Sequence, residues 1–311
     1  MRRPTPELIE WLAAYQSKMD ALIAGGFTPT PENTRKGLAD LTRLVSDHPT
    51  VTWVADDSIH APHGDVPVRI YHPAPNTALP VLIYFHGGGG MAGSVAVYDP
   101  ICRKIALATH HIVVSVDYRL APEHPYPAGV ADGCAAVRQV WETIDRHGLL
   151  HRQRLSIAGD SGGGALCATV AHKVQKQPEI AIRNQVLIYP SLDYTMSYPT
   201  IETNGTGYLL EKEKIRWYFD HYFQNDEDRR EASPLFMVVS KRLPRTLVVT
   251  AEFCPLRDEG AAYVQRLKAE GIHAEQLHFD TMIHAFLNME QVTSEACRAV
   301  YLAMGRFLAN P

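Results

Sequence analysis

The sequence predicts an α/β fold built on a mostly parallel central sheet, and three observations carry that prediction. Short runs rich in β-branched residues recur at Val51–Ala55, Val66–Tyr71, Val81–Phe85, Ile112–Val116, Leu155–Ala158, Gln185–Tyr189 and Leu247–Thr250. Helical segments separate most of them: Asp99–Ala108, Val130–His147, Gly163–Val174, Glu259–Ala269 and Thr293–Leu308. The runs do not alternate polar with apolar, which marks strands covered on both faces. The first two runs lie too close together for a crossover helix, so the sheet is expected to start antiparallel.

Residues 1–50 precede the first run and read as cap helices. Thr5, Pro6 and Glu7 supply a cap residue, a first-turn proline and an early acid. Leu8, Trp11, Leu12, Tyr15, Met19 and Leu22 then recur at helical spacing. A second helix is expected from Pro31 to about Ser46, after the Gly25-Gly26 break. Residues 51–190 and 245–311 make the α/β catalytic domain. Between them, residues 191–244 break the rhythm with a Tyr-, Asn- and Gly-rich loop and an aromatic helix around Ile215, Trp217, Tyr218, His221 and Tyr222. This stretch is expected to be an insertion that caps the domain together with the N-terminal helices. An aromatic helix face is otherwise a common form of core.

Composition narrows the function. The 311 residues are 46% hydrophobic and 21% charged, which suits a folded globular protein and not a disordered one. With 30 Lys and Arg against 34 Asp and Glu, the formal charge is −4, and no basic footprint marks a nucleic-acid or anionic-membrane partner. The five cysteines are scattered without a CxxC pair, excluding a disulfide scaffold and a zinc ribbon. Apolar runs such as Leu79–Phe85 fall far short of the about 20 residues of a bilayer span, and the N-terminal residues do not form the apolar core of a signal peptide. A cytoplasmic location is the expectation. Asn204, Gly205 and Thr206 match a glycosylation triplet, which carries no meaning without export.

Gly159-Asp160-Ser161-Gly162-Gly163 fits G-x-S-x-G, with a strand leading in and an apolar helix leading out. That context places Ser161 on a tight elbow at the sheet's C-terminal edge. A plain glycine-rich strand–helix turn would share the letters. So would a chymotrypsin-like protease, but that fold is all-β with its histidine upstream of the serine. His86-Gly87-Gly88-Gly89-Gly90 follows the strand Val81–Phe85 and offers unscreened backbone N–H groups. Such donors suit the tetrahedral intermediate of acyl transfer, where losing one costs on the order of 10²–10³ in rate. The phosphate-binding pattern GxxxxGK[ST] is missing from this loop. His284 follows the strand-like Glu275–Phe279 and precedes the last helix, the place of a downstream triad histidine. It is one of fifteen histidines, so position is what singles it out.

Taken together, these motifs resemble the bacterial hormone-sensitive-lipase family of α/β-hydrolase esterases, close to its acetyl-esterase branch. The resemblance is carried by His86–Gly89, Tyr118–Ala128, Gly159–Gly163, Pro255–Gly260 and His284–Phe286, which occur in the family's order. It implies a sheet of about eight strands, Ser161 as nucleophile, His284 as general base, and an oxyanion hole of Gly88, Gly89 and Gly162. His86, Gly87 and Asp160 belong to the same motifs. It also implies hydrolysis of small-molecule esters with short acyl groups, acetyl to butyryl, with no cofactor and no metal. The protein is expected to be a monomer or homodimer with no nucleic-acid or membrane partner.

Three positions depart from the family, and one of them is the triad acid. The catalytic aspartate should stand immediately before Pro255, and Cys254 stands there instead. In a serine protease, changing the triad acid to its amide lowers kcat by about 10⁴, or about 5.4 kcal/mol. Three outcomes are open: the triad is impaired, a nearby carboxylate (Glu252 or Asp258) substitutes, or Cys254 becomes anionic as a thiolate or a sulfinate. Gly90 stands where relatives carry an aromatic, and Ala285 where they carry glycine, which predicts a roomier or more mobile acyl site. The rivals are a non-catalytic ligand-binding or regulatory protein on the same fold, and a peptidase or amidase using the same residues.

Overall fold

The structure, a computed structural model, describes residues 2–309. Helices α1 (Pro6–Ala24) and α2 (Pro31–Thr42) come first, each started by a threonine whose hydroxyl accepts a first-turn N–H. Then follow β1 (Trp53–Ile59), β2 (Val66–His72), β3 (Leu79–Phe85), α3 (Val95–Thr109), β4 (Ile112–Val116), α4 (Ala128–Arg146), β5 (His151–Asp160), α5 (Gly162–Val174) and β6 (Ile182–Ile188). The single turn α6 (Thr200–Thr203), α7 (Lys212–Tyr222) and the single turn α8 (Arg229–Ala232) lead to β7 (Arg245–Phe253), α9 (Arg257–Ala269), β8 (Ala274–Ile283) and α10 (Glu290–Ala309).

The strands form one eight-stranded sheet in the order β1-β2-β4-β3-β5-β6-β7-β8. Pairings β1–β2 and β2–β4 are antiparallel and the rest are parallel, so the expected antiparallel start and mostly parallel sheet are both present. Strand side chains alternate between two cores. Leu82, Tyr84 and Val113 pack with Ile101 and Ile105 of α3 and Val300 and Met304 of α10. Val81, Ile83, Phe85 and Val114 pack with α4, α5 and α9 through Val137, Val170 and Val264. Burial on both faces explains why the strands lack a polar alternation.

The main departures from the expected spans have local causes. β1 begins at Trp53 and not Val51: its pairing with β2 starts at Trp53–His72, and Val51 is buried ahead of the strand. β5 starts four residues early, through the polar His151–Arg154, because backbone pairing of His151 with Leu79 extends it beyond the apolar run. The apolar stripe of α1 buries only Leu8 fully; Trp11, Tyr15, Met19 and Leu22 line a cavity instead of a core.

The parallel strands point their C-terminal ends at one edge, and the segments after β3, β5, β7 and β8 converge there. A crevice at that edge is where open α/β sheets place their sites. Helices α1, α2 and α7 lie across it.

Candidate active site

β5 ends at Asp160 and α5 begins at Gly162, leaving Ser161 on the turn between them with φ 52° and ψ −119°. Such a conformation costs a non-glycine residue about 1–3 kcal/mol and persists only where its surroundings enforce it. Here the Ser161 N–H donates to the Ile188 carbonyl at 2.8 Å, tying the elbow to β6. Chain contact is also very close, since a Cβ on Gly163 would lie 2.1 Å from the Phe85 carbonyl oxygen.

The glycine loop after β3 is clamped by the residue that precedes the serine. Asp160 accepts hydrogen bonds from Gly87 N–H (2.8 Å), Tyr84 OH (2.8 Å) and Tyr98 OH (3.0 Å). Complete burial raises its carboxyl pKa to about 6 against the effect of these donors. His86 lies buried beneath the loop, its Nδ1 2.8 Å from the Gly87 carbonyl and its ring stacked on Tyr118 at 4.5 Å. Tyr118 OH in turn donates to the His86 carbonyl at 2.7 Å. Gly88 and Gly89 both have left-handed φ, 116° and 65°. The loop abuts the elbow so closely that a Cβ on Gly162 would lie 2.7 Å from Gly89 N. Gly162 is the first residue of α5, so its N–H has no intrahelical partner. Gly88, Gly89, Gly162 and Ser161 line one cavity, and the N–H groups of the three glycines can meet a developing oxyanion there.

His284 follows β8 and reaches the elbow: its Nε2 is 2.9 Å from Ser161 Oγ, and its ring packs against Tyr189 at 4.8 Å. Burial lowers its pKa to about 3, and the positive charge of Lys214 pushes in the same direction. The imidazole is therefore neutral through the ordinary pH range. On its other side, Nδ1 is 3.1 Å from Cys254 Sγ, which also accepts the Leu256 N–H at 3.4 Å. Burial pushes the Cys254 thiol pKa well up, so a neutral thiol occupies the family's acid position.

Glu252 and Asp258 are engaged elsewhere. Glu252 meets Arg2 at 2.7 Å, Arg257 at 2.9 Å and His278 at 3.0 Å. Glu252 stands two residues before Cys254 and would share its side only if the strand ran on, but β7 stops at Phe253, and Cys254 already sits in a turn with its N–H on the Ala251 carbonyl. Alternation does not cross that turn. Asp258, in the first turn of α9, pairs with Arg257 at 2.9 Å. Glu252, His278 and Asp280 bring ligand atoms within 4.8 Å of one another, a grouping that could hold a cation. The Arg2 guanidinium already lies on both of its carboxylates, at 2.7 and 3.4 Å.

Several site residues escaped the motif analysis. Asn204 is buried and donates to the Glu252 and Cys254 carbonyls at 2.8 and 3.2 Å, bracing the turn that carries the thiol. Tyr222 of α7 fills the space above Gly90: a Cβ there would lie 2.7 Å from its ring. The wall expected to be missing at Gly90 is thus supplied from the cap, and no gap opens at that point. Residues 118–128 join the two, since Ala121 N–H donates to the Gly90 carbonyl and Tyr126 N–H to the Tyr222 carbonyl, both at 2.8 Å. The cavity in front of Ser161 has a volume of about 990 Å³ and a mostly aromatic and aliphatic wall from α1, α2 and α7. Among the described residues, no helix is long and apolar enough to cross a membrane.

Comparison with known proteins agrees with this architecture. Residues 82–288 match a family model described as an alpha/beta hydrolase fold. The chain is 37% identical over 251 residues to a carboxylesterase, NlhH, of Mycobacterium tuberculosis, covering 79% of this chain and 77% of that one. It is 35% identical over 300 residues to an ethyl acetate hydrolase of Pseudomonas putida, covering 92% and 93%. Among solved structures, an ester hydrolase from the metagenome of Lake Arreo superposes with a TM-score of 0.88 at 33% identity, covering 98% of each chain. A hyperthermophilic esterase of the archaeon Pyrobaculum calidifontis gives 0.85 at 32% identity, covering 99% of this chain and 100% of that one. A family match across two-thirds of the chain and relatives above 30% identity leave one assignment: the chain belongs to the bacterial hormone-sensitive-lipase family of α/β-hydrolase esterases.

Proposed function

We propose that this carboxylic ester hydrolase works through an acyl-enzyme on Ser161, with His284 as general base, and that Cys254 in the acid position lowers its rate. The observation that carries this reading is the 2.9 Å contact between Ser161 Oγ and His284 Nε2 at a strained elbow beside the glycine loop. Ser161 attacks the ester carbonyl as His284 takes its proton, and Gly88, Gly89 and Gly162 N–H groups hold the oxyanion. The alcohol leaves with the proton returned by His284, and water repeats the sequence on the acyl-enzyme. Residues 1–50 and 191–244 act as the cap over this reaction.

The reduced rate follows from what a neutral thiol can do. General-base action needs the proton on Nδ1 and the lone pair on Nε2. A carboxylate enforces that tautomer because it only accepts. A thiol both donates and accepts, and when Cys254 S–H points at Nδ1 the imidazole carries its proton on Nε2, where it cannot take one from Ser161. The thiol also brings no negative charge to stabilise the imidazolium that forms in the transition state. A thiolate would, but burial opposes ionisation of Cys254.

Small acyl groups, acetyl to butyryl, are the proposed substrates. Support comes from the family resemblance and from the similarity to an ethyl acetate hydrolase. The neutral thiol also favours a second reading, a ligand-binding protein on a hydrolase frame. Hydrolysis of p-nitrophenyl acetate and butyrate, together with labelling by an organophosphonate, decides between them. Slow turnover with phosphonate on Ser161 supports the esterase; no turnover and no labelling leaves the binding protein.

A further inference from the structure

Lys214 stands on α7 in the wall of the cavity that holds Ser161 and His284. The same cavity wall includes Trp11, Tyr15, Leu38, Ile215 and Trp217, and loss of water around the Lys214 ammonium lowers its pKa. Lys214 is half-buried there, and among the described residues no carboxylate lies within ion-pair distance of it. Glu211, three residues back on the same helix end, acts on it only through space, and its Oε1 accepts the Gly207 N–H at 3.3 Å. The other lysines at the cavity differ: Lys36 is paired with Asp40 at 2.9 Å, and Lys18 is exposed at the mouth.

We propose that Lys214 is a carboxylate-recognition group, and that the cavity takes esters carrying a second, ionised carboxyl, held on this ammonium while the ester lies at Ser161. The proposal rests on the esterase reading and names its substrate class: monoesters of dicarboxylic acids, or esters of hydroxy acids. A single compact ammonium with three donors in an apolar wall suits a monoanionic carboxylate. A phosphate dianion calls for a fork of donors or several free cations, whereas Lys214 is a single ammonium, Lys36 is paired with Asp40 and Lys18 is exposed. Binding has a second effect. The Lys214 charge disfavours protonation of His284. A substrate carboxylate cancels that charge, so the imidazolium of the transition state forms more easily with the anionic ester bound than with a neutral one. In a site whose own acid is missing, this is help supplied by the substrate.

The test separates recognition from turnover. The Ser161→Ala chain is titrated calorimetrically with monoethyl adipate and with diethyl adipate. The monoester is expected to bind about 10-fold to 100-fold more tightly, the range of a hydrogen bond to a charged group. That preference is lost in Ser161→Ala/Lys214→Met and kept in Ser161→Ala/Lys214→Arg, with unfolding temperatures confirming the fold and Lys214→Gln replacing the methionine if it does not fold. Equal binding of the two esters, or a preference untouched by removing the lysine, overturns the proposal. A chain that prefers the monoester but shows no turnover and no phosphonate labelling defeats the esterase mechanism and leaves the carboxylate site standing.

Discussion

The two sides of the His284 ring are built to different standards. On the Nε2 side, Ser161 sits at an elbow tied to β6, and Asp160 and Tyr118 hold the glycine loop by hydrogen bonds of 2.8 and 2.7 Å, with Asp160 itself fixed by Tyr84 OH and Tyr98 OH at 2.8 and 3.0 Å. On the Nδ1 side there is a neutral thiol, steadied by Leu256 N–H and by the braced carbonyls of its turn. The scaffold for an acid is present on that side and the charge is not. In the proposed mechanism the nucleophile, the base and the oxyanion donors are in place, and the charge that would make the base effective is what is missing.

The largest test of this contrast is Cys254→Asp. A carboxylate there meets His284 Nδ1–H and Leu256 N–H, fixes one tautomer and stabilises the imidazolium, so kcat should rise by about 10³–10⁴. A gain below about 10-fold would show that the thiol already serves. Next in size is Gly90→Phe. Because Tyr222 already occupies that space, the added ring clashes, and stability should fall by about 1–3 kcal/mol as overpacking does. Adding Tyr222→Ala should recover the part due to the clash and leave the part due to the left-handed φ of 71° at position 90, read by chemical unfolding.

The pH profile tests the same contrast more finely. His284 stays deprotonated down to about pH 3, so it sets no acid limb in kcat/KM between pH 8 and 5. Any loss on acidification through about pH 6 belongs to Asp160, which on protonation can no longer accept from Gly87, Tyr84 and Tyr98 together. In Cys254→Asp the new charge raises the His284 pKa, so a second group joins and the acid limb becomes steeper. An identical limb in both forms would contradict this assignment. The smallest effect is expected at Ala285, whose φ of 61° is left-handed. Ala285→Gly relieves that conformation and should stabilise the fold by about 0.5 kcal/mol, visible as a small rise in unfolding midpoint.

Much of this was legible before any coordinates. The sheet could be read because strands covered on both faces leave unbroken apolar runs, and Ser161 and His284 because each follows such a run at a turn. What stayed hidden has physical reasons. Whether Glu252 faces His284 depends on where β7 stops, and strand ends are set by hydrogen-bond pairing that side-chain pattern does not encode. The stripe on α1 has the same spacing whether it meets a core or a cavity. Lys214 and Tyr222 sit in a helix whose sequence resembles any amphipathic surface helix, and only its placement over the glycine loop gives them neighbours that matter.

The segment 118–128 has a consequence for traffic. It bonds at one end to the Gly90 carbonyl and at the other to the Tyr222 carbonyl, so α7 and the glycine loop hang from a common strap. A wall fastened in this way is a door jamb and not a door. The opposite wall is α1, which buries only Leu8 fully and ends at Gly25-Gly26 with Leu22 and Ile23 already exposed. The less firmly packed wall of the chamber is therefore the one that the N-terminal helix forms.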